Sequence, residues 1–205
     1  MAVTALVLFG TFVLLSTARV LIQRQRTGDT GTRQWTIQPG STQWWAHWTF
    51  NLGVLITGVG APIGGLSALR PLAVLDHPGV QVLGVVLAML GVLATFAAQM
   101  AMGGSWRIAV DETEHTGLVT HGPFRLVRNP IFSAALVGFL GLTLMVPNPV
   151  ALGGFLIMLA GVELQVRTVE EPYLRRTHAG AYTDYAARVG RFLPGIGRIH
   201  RTHGS

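Results

Sequence analysis

Hydrophobic and polar positions in this chain fall into long blocks, without the short alternations of a soluble fold. From Ala2 to about Ile22 nearly every position is apolar, which meets the ~20 residues needed to cross a hydrocarbon core. A polar stretch, Gln23 to Gln43, leads into Trp44, Trp45 and Trp48, residues of the kind that form aromatic belts at headgroup level. A second apolar block runs from about Trp45 to Leu66 and a third from about Val80 to Met102, with Arg70, Pro71 and Pro78 between them. Two shorter blocks, Ile131 to Val146 and Val150 to Val166, cover 16 and 17 residues and meet at Pro147-Asn148-Pro149. They predict a tight helical hairpin. From Arg167 onward the chain is polar, with Tyr173, Leu174, Tyr182, Tyr185 and Val189 spaced for one or two amphipathic surface helices.

The pattern predicts an all-α, polytopic membrane protein with about five transmembrane helices, a C-terminal helical hairpin and amphipathic cytosolic helices. It also divides the chain, with residues 1–102 as a scaffold of three N-terminal spans and 103–205 as the functional core. Gly60 and Gly64 in the second span, and Gly84 and Gly91 in the third, are spaced to let neighbouring helices approach closely. Composition agrees with this picture. The 205 residues are 50% hydrophobic and 12% charged, with a mean hydropathy of +0.47, too apolar for a soluble domain of this size. The chain has no Cys, which excludes disulfides, thiolate metal sites and a Cys nucleophile.

Charge then sets the expected orientation. Every one of the 15 basic residues is Arg, and 14 of them fall between Arg19 and Arg33, in the loop from Trp106 to Asn129 or in the tail; Arg70 alone lies on the other side. The positive-inside rule places the N-terminus outside and those three segments in the cytoplasm of a plasma-membrane protein. The net charge of +6 is thereby accounted for without nucleic acid as a partner.

Candidate chemistry concentrates in Thr116 to Phe132, TGLVTHGPFRLVRNPIF, where turn-forming backbone abuts membrane-grade sequence. Irregular backbone at that depth is tolerated where protein buries it or where it lines a cavity. Asn129-Pro130 is suited to capping the following helix, whose first N–H groups then face an anion. Arg125 and Arg128 suit either headgroup anchoring or ligand binding. At the end of the fifth span, Glu163, Arg167 and one of Glu170 and Glu171 share a helix face by i,i+3 and i,i+4 spacing. They form either an interfacial salt-bridge ladder or a functional group of charges. His47 fits a packed interfacial position, His115 and His121 flank the loop without a third ligand at metal-site spacing, and His200 and His203 sit in the tail. The acidic group Asp111, Glu112 and Glu114 lies in the same loop. No metal is expected, and no nucleophile elbow, Walker loop or dinucleotide fingerprint is present.

LVTHGPFRLVRNPIF, followed by a short hairpin, EEPYL, and then Tyr182, Tyr185, Arg188, Arg191, Phe192 and Pro194, resembles the isoprenylcysteine carboxyl methyltransferase family and its phospholipid methyltransferase relatives. The resemblance covers about Trp106 to Pro194. It implies a membrane methyltransferase that binds S-adenosyl-L-methionine on the cytosolic side without a Rossmann fold. By position, cofactor contacts are expected at Thr116, Gly117, Leu118, Val119, Phe124, Asn129, Pro130, Ile131, Phe132 and Glu170, and catalytic roles at Arg167, Glu170 and Glu171. The family has an Arg four residues before its cofactor Glu; here Arg167 is three before Glu170 and four before Glu171, so the resemblance leaves the roles of the two glutamates open. Asn129 replaces the usual His, and Phe124 and Phe132 replace tyrosines.

Methyl transfer from a sulfonium is an in-line displacement that needs an aligned, desolvated nucleophile. A carboxylate acceptor needs no base and suits a bidentate pair with Arg167, whereas an amine or thiol needs Glu170 or Glu171 as base. The expected partners are a lipophilic or small-molecule methyl acceptor and membrane lipid. A membrane reductase and a cofactor-free scaffold are the alternatives. Nicotinamide binding would mark the first, and lack of S-adenosyl-L-methionine binding the second.

Overall fold

The computed structural model describes residues 1–67, 69–109 and 117–199. Its helices are α1 (Ala2–Thr27), α2 (Thr42–Leu55), α3 (Ala61–Ser67), α4 (Pro78–Ala101), α5 (Pro130–Met145), α6 (Pro149–Leu164) and α7 (Glu171–Arg188). Among the described residues, β pairing is confined to two isolated bridges, Thr32 with Ile108 and Val127 with Gly190. Thr116, the acidic group Asp111, Glu112 and Glu114 with His115, and His200 and His203 lie outside the described residues.

Local chemistry explains the helix ends. α1 continues past the expected end at Ile22 because Arg24 and Arg26 occupy its last turn and complement the helix dipole, and because Gly28 closes it at φ 76. Ser41, His77 and Asn148 each accept a hydrogen bond from the first turn of α2, α4 and α6, through Trp44 N (3.1 Å), Gly79 N (3.0 Å) and Ala151 N (2.9 Å). One wide i→i+5 turn, Ile56–Gly60, joins α2 to α3, so that Thr42–Ser67 forms a single rod. A second wide turn, Gln165–Glu170, joins α6 to α7. Ala2–Thr27, Thr42–Ser67, Pro78–Ala101 and the rod that begins at Pro149 are each long and apolar enough to cross a membrane. The 16-residue α5 is shorter and completes the expected set of five. This is a polytopic, all-helical integral membrane protein.

Backbone contact between glycines fixes the helix pairs. α5 lies along α4 and α6 along α2, while the two arms of the expected hairpin touch one another less. A Cβ placed on Gly91 would stand 2.2 Å from Gly138 N, one on Gly141 would stand 2.3 Å from Ala88 N, and one on Gly84 would stand 2.7 Å from Gly141 O. Across the other pair, Gly53 faces Met158 N at 2.3 Å and Gly161 faces Phe50 N at 2.4 Å by the same construction. Hydrocarbon tails are as apolar as Leu, so helices gain little from hydrophobic burial against each other, and close van der Waals contact does the holding. The expectation for Gly84 and Gly91 therefore holds. That for Gly60 and Gly64 does not. A Cβ on Gly60 would meet nothing nearer than Val150 Cγ1 at 3.9 Å, and Gly64 meets only the Leu69 side chain.

α1 joins this framework through aromatic edges and one buried cation. Phe9 and Phe12 present T-shaped contacts to Phe139 at 6.2 and 5.2 Å between centroids. Arg19 is 1% exposed. Its guanidinium donates to Gln99 O (3.2 Å) and Gly103 O (2.7 Å) and lies 4.6 Å from the centre of the Trp106 ring. Carbonyls at a helix C-terminus and an aromatic face stand in for a carboxylate. Gln23 adds a bond to Gly104 O at 3.0 Å.

These contacts separate the molecule into two ends. At one, the 29–33 loop pairs with 106–108 through Ile108 N to Gly31 O (2.7 Å) and Arg33 N to Ile108 O (2.9 Å). There the Arg33 guanidinium bonded to Asp29 holds the Asp29 carboxyl well below the usual carboxylate range. At the other, Leu72 N donates to Pro147 O (2.6 Å) and Asn148 Nδ2 to Ala61 O (3.0 Å). Trp45 and Trp48 are about half exposed on α2, while His47 faces Asn51 at 3.2 Å.

Glycine packing yields a contrast to test in detergent-purified protein. Gly141→Ala should lower the thermal unfolding midpoint, by about 1–3 kcal/mol of overpacking. Gly60→Ala should be neutral or stabilising by up to about 1 kcal/mol through helix propensity. Equal midpoints for Gly141→Ala and wild type would remove the packing argument.

Candidate functional site

The stretch that the sequence singled out is held by the tail folding back over it. Pro123 opens a short 3₁₀ turn, Gly122–Arg125, with Gly122 at φ 58, a left-handed conformation that glycine adopts without steric cost. Phe124 is buried there, and the Tyr185 hydroxyl donates to its carbonyl at 2.6 Å. Leu118 packs on the cluster of Tyr182, Tyr185 and Ala186. Further on, Arg128 N donates to Gly190 O (2.8 Å), Asn129 N to Arg191 O (3.1 Å) and the Ser133 hydroxyl to Phe192 O (2.8 Å). The tail turns sharply to do this: a Cβ on Gly190 would stand 2.0 Å from Leu193 O. Asn129 precedes α5 as expected, but its side chain does not cap the helix. Its Nδ2 donates to Arg191 O (3.1 Å), so it ties the helix start to the tail.

Beneath this lies a buried ion cluster. Glu171, 3% exposed, receives Arg128 Nη2 at 2.7 Å, Arg191 Nε and Nη2 at 2.7 and 2.9 Å, and Arg175 Nη2 at 3.5 Å. The bonds to Glu171 raise the pKa of the Arg191 guanidinium above its ordinary value. Arg128, itself 6% exposed, also donates to Ala186 O (3.2 Å), Val189 O and Gly197 O (3.1 Å). Arg128, for which the sequence allowed a headgroup anchor or a ligand contact, cross-links the motif, α7 and the tail. Arg125 is exposed.

The wide turn changes the charge pattern expected at the end of α6. Arg167 pairs with Glu163 and is more than half exposed. An α-helical register would bring one of the paired glutamates onto the same face. The i→i+5 turn Gln165–Glu170 shifts them away: Glu171 meets the arginines, and Glu170 receives Gln165 Nε2 at 3.3 Å. Arg128 directly precedes Asn129 and Glu171 directly follows Glu170, so the 2.7 Å bond between them draws the start of α5 to the wide turn. Phe132 lies 5.9 Å from the Phe50 ring, edge to face. Phe50 backbone is the group against which Gly161 packs, one turn before Gln165.

The structure thus ties Phe124 through Tyr185, Asn129 through Arg191 and Glu171 through its arginines to one cross-link, while Pro130, Ile131 and Phe132 follow at the start of α5 and Glu170 lies beside Gln165. Gly117, Leu118 and Val119 approach the cross-link from the tyrosine cluster, with Gly117 exposed and Leu118 and Val119 half-buried. Arg167 stands at the rim, and Thr116 lies outside the described residues. Sequence reasoning passed over Arg191 and Gln165 as site residues. A glutamine inside an apolar block was the available signal for the second.

Removing one partner of a buried ion pair leaves the other charge uncompensated, at about 3–5 kcal/mol. Arg128→Met should therefore unfold the tail, seen as protease cutting within 171–199 at concentrations that leave wild type intact. Arg175→Ala, whose side chain is half exposed, should change stability by less than about 1 kcal/mol. Equal protease resistance of the two variants would refute the cross-link.

Residues 80–180 match the phospholipid methyltransferase family. Over 121 residues, 58% of this chain, the sequence is 31% identical to protein-S-isoprenylcysteine O-methyltransferase A of Arabidopsis thaliana. It is 28% identical over 121 residues to protein-S-isoprenylcysteine O-methyltransferase B of the same plant. A probable protein-S-isoprenylcysteine O-methyltransferase of Oryza sativa subsp. indica is 29% identical over 119 residues, 57% of this chain and 62% of that protein. The match to the Arabidopsis relatives spans 61% of their length. The ordered run of LVTHGPFRLVRNPIF, hairpin and EEPYL falls largely within the matched residues, and with these matches it makes the chain similar to the isoprenylcysteine carboxyl methyltransferases and phospholipid methyltransferases.

Proposed function

We propose that this protein transfers a methyl group from S-adenosyl-L-methionine to a lipophilic or small acceptor at the cytosolic face of the membrane. The similarity to the phospholipid methyltransferase family and to isoprenylcysteine O-methyltransferases supports the reaction type, and one observation carries the site. Two adjacent carboxylates have been separated: Glu171 is bound by three arginines, while Glu170 is half-buried beside an amide and is left available to a ligand.

The donor set fits S-adenosyl-L-methionine. Glu170 would accept from its ribose hydroxyls or amino group, Phe124 and Phe132 would pack on its apolar surfaces, and the backbone of 116–119 and of 129–132 would supply the remaining polar contacts. When bound, the sulfonium supplies the methyl group. The chain's own task is to align the acceptor and exclude water. Arg167, at the rim, would exchange its pairing with Glu163 for an acceptor carboxylate, a bidentate match that needs no base. In this reading Glu171 is a positioning residue that touches neither reactant. Residues 103–205 carry the machinery and 1–102 the scaffold. The arginine-rich end faces the cytoplasm, with the N-terminus outside, in keeping with the positive-inside rule.

Calorimetric titration of S-adenosylhomocysteine into the detergent-purified protein should show micromolar binding, weakened at least tenfold by Glu170→Ala, the loss of a hydrogen bond to a charged group. Absence of binding in folded wild-type protein would sink the reading. A prenylated cysteine carboxylate and a phospholipid amine, each offered with labelled S-adenosyl-L-methionine, then separate the acceptor classes. Because the chain has no Cys, Ser67→Cys and Gly195→Cys report orientation by impermeant thiol labelling of intact cells. Ser67→Cys should react and Gly195→Cys should not, and the reverse result would invert the topology.

A further inference from the structure

We propose that Gln165 is a ligand-binding residue of this site, forming with Glu170 a paired acceptor for a group that donates at least two hydrogens, an ammonium or a vicinal pair of hydroxyls. The inference rests on the proposed function and deepens it.

Gln165 is 8% exposed. Its Nε2 is used, donating to Glu170 Oε1 at 3.3 Å, while its Oε1 is enclosed and has no hydrogen-bond partner. An amide carbonyl buried without a donor is unfavourable, and any apolar side chain would have avoided the cost. The backbone also departs from the α-helix at this point. In an α-helix, side chains five residues apart diverge; the i→i+5 turn Gln165–Glu170 brings them onto one line. Such single wide turns inside helices are frequent at functional sites.

The position agrees. Gln165 is one turn beyond Gly161, which packs on Phe50 backbone, and the Phe50 ring meets Phe132 of the motif. Glu170 directly precedes Glu171, which Arg128 and Arg191 hold in place. No arginine pairs with Glu170 among the described residues, so what the pair presents is one carboxylate and one amide oxygen, all acceptors. An array of this kind repels a carboxylate or phosphate and selects a donor-rich or cationic group. It therefore takes a different part of the reaction mixture from Arg167, whose guanidinium suits an anion. S-adenosylhomocysteine carries both candidate groups, the ammonium of its amino-acid part and the ribose diol.

The test uses the full-length protein in detergent, titrated calorimetrically with S-adenosylhomocysteine, its desamino analogue and its 2′,3′-dideoxy analogue. Gln165→Met keeps the volume and removes the acceptor. Gln165→Asn, which shortens the amide's reach, carries the same test where the Met variant does not fold. The variant should bind S-adenosylhomocysteine about tenfold or more weakly than wild type. For the analogue that lacks the group held by Gln165, variant and wild type should bind alike; that analogue identifies the group as ammonium or diol. Wild-type affinity of the variant for all three ligands overturns the inference, as does loss of all three by one common factor, which marks a structural role. Wild-type protein that binds none of the three overturns the proposed function itself, a result distinct from either.

Discussion

The architecture of the site depends on one buried carboxylate. Glu171 draws in guanidinium groups from three separate stretches of chain, Arg128 at the end of the motif, Arg175 on its own helix and Arg191 in the returning tail. A carboxylate removed from water at this depth is tolerated only when its lone pairs are filled, and the arginines are tolerated for the same reason. Satisfying the charge therefore dictates where the tail must lie. Once the tail is there, Gly190 and Arg191 supply carbonyls to Arg128 N and Asn129 N, and the motif acquires a fixed backbone with very little regular secondary structure of its own.

The membrane-spanning part obeys a different constraint. Helices in hydrocarbon gain from contact only if they come very close, and close approach requires the missing side chains of Gly53, Gly84, Gly91, Gly141 and Gly161. Two such seams, α4 with α5 and α2 with α6, set the helix starts at fixed heights. The first places the start of α5, the second places the wide turn after α6, and the Glu171 cluster joins the two.

Much of this was legible in the sequence, and what was not has identifiable causes. Apolar blocks located the spans because length and hydropathy are local properties. Gly84 and Gly91 were readable as packing positions, whereas Gly60 and Gly64 have the same spacing and face open space or a flexible side chain; spacing alone does not say which face meets a neighbour. Arg128 was ambiguous because its partners are far along the chain, at Glu171, Ala186, Val189 and Gly197. The grouping of Glu163, Arg167 and a paired glutamate assumed unbroken α-helical periodicity, and the wide turn at Gln165–Glu170 broke it. The same turn hid the pairing of Gln165 with Glu170, since residues five apart are not neighbours on an α-helix.

Arg19 bears on how the protein is made. All of its partners, Gln99, Gly103 and Trp106, are translated about 80 or more residues after it. At ribosomal rates of roughly 5–20 residues per second, α1 spends several seconds with an uncovered guanidinium near the end of its apolar stretch. During that interval the side chain can only reach toward headgroups and water, which holds that end of α1 at the interface. Arrival of α4 then releases the charge into the protein interior, so biogenesis has a defined order, with the first helix settling only after the third span has entered the bilayer.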